Sequence, residues 1–265
     1  MKKGLKLLSA ILAFVIIGGL LLITNSLVGN PISKYLANKS AEKYIAENYS
    51  ELNLEVGKAG YNFKYGTYNV FVKSKVSQDT QFSLYISQNG KVERDDYKEN
   101  VLSGWNTYTR VEDAYRLMVD KVLAHDKFPF ESDIDYGTIQ LNEKQEGSMK
   151  DNEMYGISIS ELELDKNYDI KELGRNSGQV VLYVQDEEVS IKKASEMLLT
   201  IKSIFDEANV TFHSINFTLE KPRNKYGTAN KDDIRVNVEN FLYNDIYEEN
   251  LEERIEKGHK DLEKY

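Results

Sequence analysis

Residues Leu7–Ile23, LLSAILAFVIIGGLLLI, carry no charge and one strongly polar side chain, Ser9. As a helix extended to Val28, this run measures about 33 Å, the hydrocarbon thickness of a bilayer. Lys2, Lys3 and Lys6 precede it. Two fates compete for such a segment, a cleaved signal peptide and a permanent signal-anchor. A signal peptide has an apolar core of about 7–15 residues and small residues at its cleavage site. Here the run is longer, and the best cleavage candidate, Thr24-Asn25-Ser26, is a mediocre match. The run therefore predicts cytoplasmic lysines and a transmembrane signal-anchor over residues 1–30, with the lipid bilayer as the partner of residues 7–28. By the positive-inside rule the three lysines stay in the cytoplasm and the body lies on the outer face of the plasma membrane. Lys34, Lys39 and Lys43 reduce that asymmetry.

About 235 residues follow, enough for one large domain or two of ordinary size. The chain has 34 Lys and Arg against 43 Asp and Glu. Three of the lysines precede the apolar run, so 31 basic residues face 43 acidic ones beyond it, a net charge of −12. That balance disfavours nucleic acid and anionic lipid as partners of the body as a whole. With no cysteine, the chain has no disulfides, thiolate metal sites, cysteine nucleophile or lipidated amino-terminal cysteine. A content of 41% hydrophobic residues, with 18 Tyr and 10 Phe, supplies a core without cross-links.

Asn30-Pro31 ends the span and opens a new helix, because proline lacks an N–H that the first turn would leave unused. Ala37, Ala41, Tyr44, Ile45 and Leu52 recur at helical spacing opposite Lys39, Glu42, Lys43 and Glu47, which predicts an amphipathic helix over 32–49. Strands follow: Tyr61, Phe63 and Tyr65 alternate with polar residues, as do Tyr68, Val70 and Val72, then Phe82, Leu84 and Ile86. Asn89-Gly90 predicts a type I′ hairpin turn, with Val92 continuing beyond it. Thr109-x-x-Glu112 reads as a capping box opening a helix over 110–124, with Val111, Ala114/Tyr115, Met118 and Val122 buried. This helix closes the first module or bridges to the second, and Trp105, just before it, is expected to be a core anchor. The first module thus spans 31–126.

His125-Asp126-Lys127-Phe128-Pro129 marks the boundary to a second module, 127–265. Strands are expected at 137–141, 155–164 and 179–184, with the polar stretch 165–179 as loop, carrying at most a helical turn. Ser190–Ala208 is the clearest helix: Ser190 caps it, and Ala194, Met197, Leu198, Ile201, Ile204, Phe205 and Ala208 keep the spacing. Two strands follow, one through His213, Ile215, Phe217 and Leu219 and one through Ile234, Val236 and Val238, around a basic loop Lys221–Lys231. A charged amphipathic helix through Tyr247, Leu251, Ile255 and Leu262 ends the chain. The order β-β-β-α-β-β-α indicates an α+β fold class: a transmembrane helix followed by two modules, each a helix on an antiparallel sheet.

The chemistry-bearing residues are dispersed. His125, His213 and His259 lack a second histidine or a carboxylate at a metal-motif spacing. Asp79, Asp95 and Asp96 sit at strand ends, where capping and turn solvation account for them better than a calcium loop. Glu131, Asp133 and Asp135 alternate as on a strand edge, where charge discourages edge pairing. Asp186-Glu187-Glu188 suits the amino terminus of the following helix. Phosphate loops, the Gly-x-Ser-x-Gly elbow and the His-Glu-x-x-His helix are absent. No catalytic, cofactor-binding or metal residue is assigned, and no cofactor is expected. Most of the tyrosines line strand faces and helix stripes, which points to packing.

NPISKYLANKSAEKYIAENYSELNLEV, with YNFKYGTYNVFVKS and QDTQFSLYI…RDDY, resembles the YfjL-like family of uncharacterised, membrane-anchored proteins of Gram-positive bacteria. LYVQDEEVSIKKASEMLLTIKSIFDEANVTFHSINFTLE resembles that family's carboxyl-terminal part. The helix and meander of the first module are also loosely similar to PepSY-type envelope modules. The resemblance implies an amino-terminal anchor and two α+β modules, and it transfers no activity and no functional residue. The expected function is a non-enzymatic binding, sensing or regulatory module acting on envelope proteins or peptides. Two alternatives stay open. One is an envelope hydrolase using paired carboxylates. The other is an accessory subunit of a membrane complex, held through Gly18-Gly19.

Overall fold

Helix α1, Lys2–Val28, leaves its large apolar side chains uncovered. Between Leu7 and Val28, fourteen large hydrophobic residues are 53–78% exposed. The computed structural model describes residues 2–142, 155–223 and 234–262. Among these, one helical stretch near the amino terminus is long and apolar enough to cross a membrane. The chain divides into two units, Met1–Thr107 and Tyr108–Tyr265.

In the first unit, α2 (Pro31–Asn48) follows α1 after Gly29-Asn30, with Asn30 as its N-cap accepting from the Ser33 N–H. Ser33, Ala37, Ala41 and Ile45 form its buried stripe. The small alanines let the helix lie close on a sheet of β1 (Leu54–Val56), β2 (Gly60–Asn62), β3 (Thr67–Ser74), β4 (Gln81–Ile86) and β5 (Val92–Asp95). The order is β1-β3-β4-β5, and β2 also pairs with β3. All its pairs are antiparallel. Tyr68, Val70, Val72, Phe82, Leu84 and Ile86 point to the helix and are buried, as the period-two pattern requires.

Several details depart from expectation. Phe63 and Tyr65 lie in the turn after β2 and are 68% and 69% exposed, so they do not continue the strand. Gly90 alone has positive φ in the β4–β5 loop, with Ser87 and Lys91 closing the hairpin. This is a three-residue loop ending in a left-handed glycine, not a type I′ turn. Trp105 is 45% exposed, hence not a core anchor. The helix α3 spans Trp105–Leu123, starting before Thr109, because the Ser103 hydroxyl already accepts the Trp105 N–H at 3.1 Å.

The second unit holds β6 (Glu131–Ile139), α4 (Ile170–Ser177), β7 (Gly178–Gln185), α5 (Ile191–Glu207), β8 (Ser214–Glu220), β9 (Arg235–Leu242) and α6 (Leu251–Leu262). Its sheet runs β6-β7-β8-β9. The expected antiparallel sheet is corrected at one pair: β7 and β8 are parallel, because α5 carries the chain back across the sheet between them. The stretch 155–164 makes one bridge, Leu141 to Ile157, and a 3-10 turn at Ile159–Glu161, in place of a strand. Helix α4 forms inside the expected loop, capped by Asp169, which accepts from the Lys171 and Glu172 N–H groups. The basic loop expected at Lys221–Lys231 lies largely outside the described residues.

One core fills this unit. Val180, Leu182, Val184, Ile215, Phe217 and Leu219 from the sheet meet Ala194, Met197, Leu198, Ile201 and Phe205 of α5. Tyr115, Val119 and Val122 of α3 join the same core. Tyr115 depends on missing side chains opposite it: a Cβ on Gly174 or Gly178 would stand 2.4 Å and 2.6 Å from its ring or hydroxyl atoms. Leu198 is fully buried, so Leu198→Ala is expected to destabilise the fold by about 2–5 kcal/mol through lost burial and a cavity. Chemical unfolding of the detergent-solubilised chain measures this, and a loss below about 1 kcal/mol would contradict the assigned core.

Candidate functional site

The face of the second sheet turned away from α5 carries a concentration of amides and hydroxyls. Along β7 and β8 the side chains alternate. Val180 and Ile215 enter the core, while Gln179, Ser214, Asn216 and Thr218 face the other way. Gln179, Ser214 and Thr218 are nonetheless 5%, 0% and 4% exposed, so their polar atoms need partners inside the protein. Gln179 Nε2 donates to Tyr155 Oη at 2.9 Å and Asn240 Oδ1 at 2.8 Å, with Ser214 Oγ at 3.3 Å. Its Oε1 accepts from Gln140 at 2.8 Å and Asn216 at 3.2 Å.

A strand irregularity builds the far side of this cluster. The β8–β9 register shifts between Ile215 and Phe217, and Asn240 takes the left-handed conformation at φ 51°, which asparagine tolerates better than most residues. Its N–H is donated to Asn216 Oδ1 at 2.7 Å. The bulge thus turns Asn240 onto the polar face. Tyr155 covers the cluster, donating to Asn240 Oδ1 and sharing a short hydrogen bond with Ser214. Burial pushes its hydroxyl pKa up, against the lowering effect of Ser214 and Gln179. The His213 ring stacks on Tyr155 at 4.1 Å between centroids. The hydrogen bonds of the cluster are made among its own members, so it ties Tyr155, Gln140 and the Asn240 bulge to β7 and β8.

A second feature is a recess of about 330 Å3 lined by Met118, Val122, Ile204, Ala208 and Val210 together with Lys121, His125, Lys127 and Glu207. It opens where α3 and α5 end. Lys127 and Glu207 pair at 3.8 Å beside the apolar wall. The combination suits an apolar side chain or short acyl chain carrying a charge.

The carboxylates singled out in the sequence are mostly engaged. Asp95 accepts from the Tyr44 hydroxyl at 2.6 Å, the Tyr49 hydroxyl at 3.1 Å and the Tyr97 N–H at 3.0 Å. Asp96 accepts from the Ser83 N–H and the Tyr85 hydroxyl. Buried Asp79 accepts from the Thr107 hydroxyl at 2.9 Å. Asp133 pairs with Arg223 at 2.8 Å, on β6, which is an edge strand as the alternation of Glu131, Asp133 and Asp135 suggested. Asp186 accepts the Glu188 N–H, which with Lys193 at 3.2 Å lowers its pKa.

The histidines fall in three places. His125 accepts the Lys127 N–H, His259 accepts the Asn237 N–H, and His213 stacks on Tyr155. Among the described residues no three His, Cys, Asp or Glu side chains are grouped to hold a metal ion. Sequence reasoning missed the Gln179 cluster, because its members span more than a hundred residues and belong to no motif. The one local signal was the polar set Ser214, Asn216 and Thr218 alternating with Ile215, Phe217 and Leu219.

Two outcomes follow from these bonds. Gln179→Leu removes a hydrogen-bond partner from buried Ser214, half-buried Asn216 and exposed Asn240, so a loss of about 1–3 kcal/mol is expected in urea unfolding. A neutral result would mean that water substitutes for the amide. The Tyr44 hydroxyl is pushed up to about 12, first by its hydrogen bond to Asp95 and then by burial. Its unfolded value is about 10, so this contribution to stability is complete below about pH 10 and disappears as pH rises through about 12. Melting of the wild type should therefore fall more steeply across that window than melting of Tyr44→Phe. Parallel curves would sink the assignment.

Comparison with known proteins gives the following. No curated protein matches the chain. Among solved structures, a DUF1672 family protein from Staphylococcus aureus aligns with 78% of this chain and 91% of that one, at 12% identity and a TM-score of 0.25. That likeness is too slight to define the fold. The description "YfjL-like, N-terminal domain" matches residues 4–96, which hold α1, α2 and the first sheet. The description "YfjL-like C-terminal domain" matches residues 114–256, which hold the polar cluster and the recess. With both domains present in order along most of its length, the chain belongs to the YfjL-like family.

Proposed function

We propose that this is a single-pass membrane protein whose body stands outside the cytoplasm and serves as a non-enzymatic binding or sensing module for envelope proteins or peptides. The observation that carries the reading is α1. Its fourteen exposed large hydrophobics have no covering surface in their own unit, and each favours the bilayer by about 0.3–0.6 kcal/mol. Insertion over Leu7–Val28 satisfies them. Cleavage would need a small-residue site, and Thr24-Asn25-Ser26 remains helical within α1. Lys2, Lys3 and Lys6 favour the orientation with the amino terminus inside.

The binding reading draws on the second unit. The apolar recess beside Lys127 and Glu207 has the size and lining for a protein side chain. Asp95, Asp96 and Asp133 bind tyrosines, main-chain N–H groups and arginine, which suits scaffolding better than acid–base chemistry.

A carboxyl-terminal tag on the chain in intact cells tests the topology. External protease should remove the tag while the amino-terminal fragment stays in the membrane fraction. Protection of the tag would put the body in the cytoplasm, and release of the intact body into the medium would make the first residues a signal peptide. For the binding reading, a photo-crosslinker at exposed Ala208 should give a discrete adduct that Ile204→Asp suppresses. An adduct pattern indifferent to Ile204→Asp would remove the recess from the proposal.

A further inference from the structure

The first unit presents further exposed apolar side chains next to the end of α1. The Ala59 N–H donates to Asn38 Oδ1 at 2.7 Å. Tyr61, two residues on, donates its hydroxyl to the Ser26 carbonyl at 3.2 Å. Asn38 lies in α2 and Ser26 in the last turns of α1, so β2 runs against α2 and back toward α1. Tyr68, opposite Tyr61 in the register, holds Asn30 with its hydroxyl. The hairpin tip that continues β2 therefore reaches past the start of α2, alongside the end of the apolar helix.

That tip is Phe63-Lys64-Tyr65-Gly66, with the two aromatic rings 68% and 69% exposed and Lys64 exposed between them. Helix α2 adds Ile32 and Tyr35, 73% and 63% exposed, and Leu36 at 37%. Farther along α2 the exposed positions become mostly charged, with Lys39, Glu42, Lys43 and Glu47. The change comes about 10 Å into the helix, near the outer limit of the headgroup layer, which is about 5–8 Å deep on each side. Local charge agrees. No Asp or Glu occurs in residues 1–41 or 56–78, where Lys34, Lys39, Lys58 and Lys64 lie. The acidity of the body does not extend to this surface, so anionic phospholipid headgroups are not repelled from it.

We infer that the Phe63–Gly66 hairpin tip, with Ile32, Tyr35 and Leu36, is seated in the headgroup region of the bilayer that α1 spans, as a second membrane contact. The inference rests on the reading of α1 as a membrane span. Aromatic rings occupy the interface, where an apolar body and a polar rim are both accommodated. Lys64 extends its ammonium to phosphate from the same depth. The occupant is lipid, because the surface is continuous with the end of α1 and shares its polarity.

The cysteine-free chain permits a direct test in the full-length protein, reconstituted in vesicles of phosphatidylcholine and phosphatidylglycerol. Single variants Phe14→Cys, Phe63→Cys and Val76→Cys are labelled with an environment-sensitive fluorophore. Val76, 81% exposed in the turn after β3, is the aqueous reference. Phe63 should show blue-shifted emission, loss of fluorescence to a nitroxide carried near the headgroup, and protection from aqueous iodide. Phe14 should respond to a nitroxide deep in the acyl chains, and Val76 to iodide alone. If Phe14 reports acyl chain but Phe63 behaves like Val76, the anchor stands and the inference falls. Protection of Phe63 from iodide without nitroxide quenching would also overturn it, showing a protein surface on the tip. Failure of Phe14 to report lipid would remove both readings.

Discussion

The hydroxyl of Tyr68 governs how the first unit is attached to its apolar helix. The residue is 1% exposed, so its hydroxyl has to find partners within the protein. It accepts from the Asn30 N–H at 2.9 Å and donates to the Asn30 carbonyl at 3.0 Å. Asn30 in turn caps α2 through Ser33 and reaches back to Asn25 in α1. The preceding Gly29 has φ 73°, and a Cβ there would stand 2.5 Å from the Tyr68 hydroxyl. One buried phenol thus ties together the end of one helix, the cap of the next and the first residues of β3. The two-residue break is a packed joint and not a linker whose reach is set by composition.

The second unit solves a different problem, a sheet with one apolar face and one polar face, both largely shut off from water. Parallel pairing of β7 and β8 follows from the return path through α5, and it places Gln179 and Ser214 side by side. Apolar residues at those positions would be simpler for stability, since each buried amide must be matched donor for acceptor. The match is made by a bulge at Asn240 and by Tyr155 arriving from an irregular stretch. Elements that look like defects in the strand pattern are what complete the network.

What was legible in the sequence was set by locality. Helix α2, with Ala37, Ala41 and Ile45, and helix α5, with Ser190 as cap and Leu198, Ile201 and Phe205 buried, follow from spacing alone. So do the buried rows of β3 and β4. Where the outcome depended on distant partners the reading failed. Helix α4 is short and mostly polar, held by the Asp169 cap, by Ile170 and Leu173 against the core and by Tyr115 packing on Gly174. The 155–164 alternation found one bridging partner and no neighbouring strand. Trp105 looked like an anchor by size, yet the Ser103 cap set the helix start and left the ring half exposed. The Gln179 cluster was invisible for the same reason: amides and hydroxyls acquire meaning only when a fold gathers them.

Charge along the first unit brings the joint and the hairpin into one argument. Taken as a total, a body of net charge −12 should avoid an anionic membrane surface. The acidic residues are not spread evenly, however: the first to appear is Glu42, one turn beyond Lys39 on α2. Asp95, at the end of β5, is capped by Tyr44 and Tyr49 from farther along that helix. Lys34, Lys39, Phe63, Lys64 and Tyr65 lie on segments of this unit that hold no carboxylate, and on α2 the carboxylates begin at Glu42. Such a polarity opposes any tilt that would bring Glu42 or Glu47 down to anionic headgroups, and it favours the pose in which Lys34 and Lys64 meet them. The joint at Asn30 keeps the tip at the right height for that contact, and the charge gradient selects which side of the unit faces the lipid.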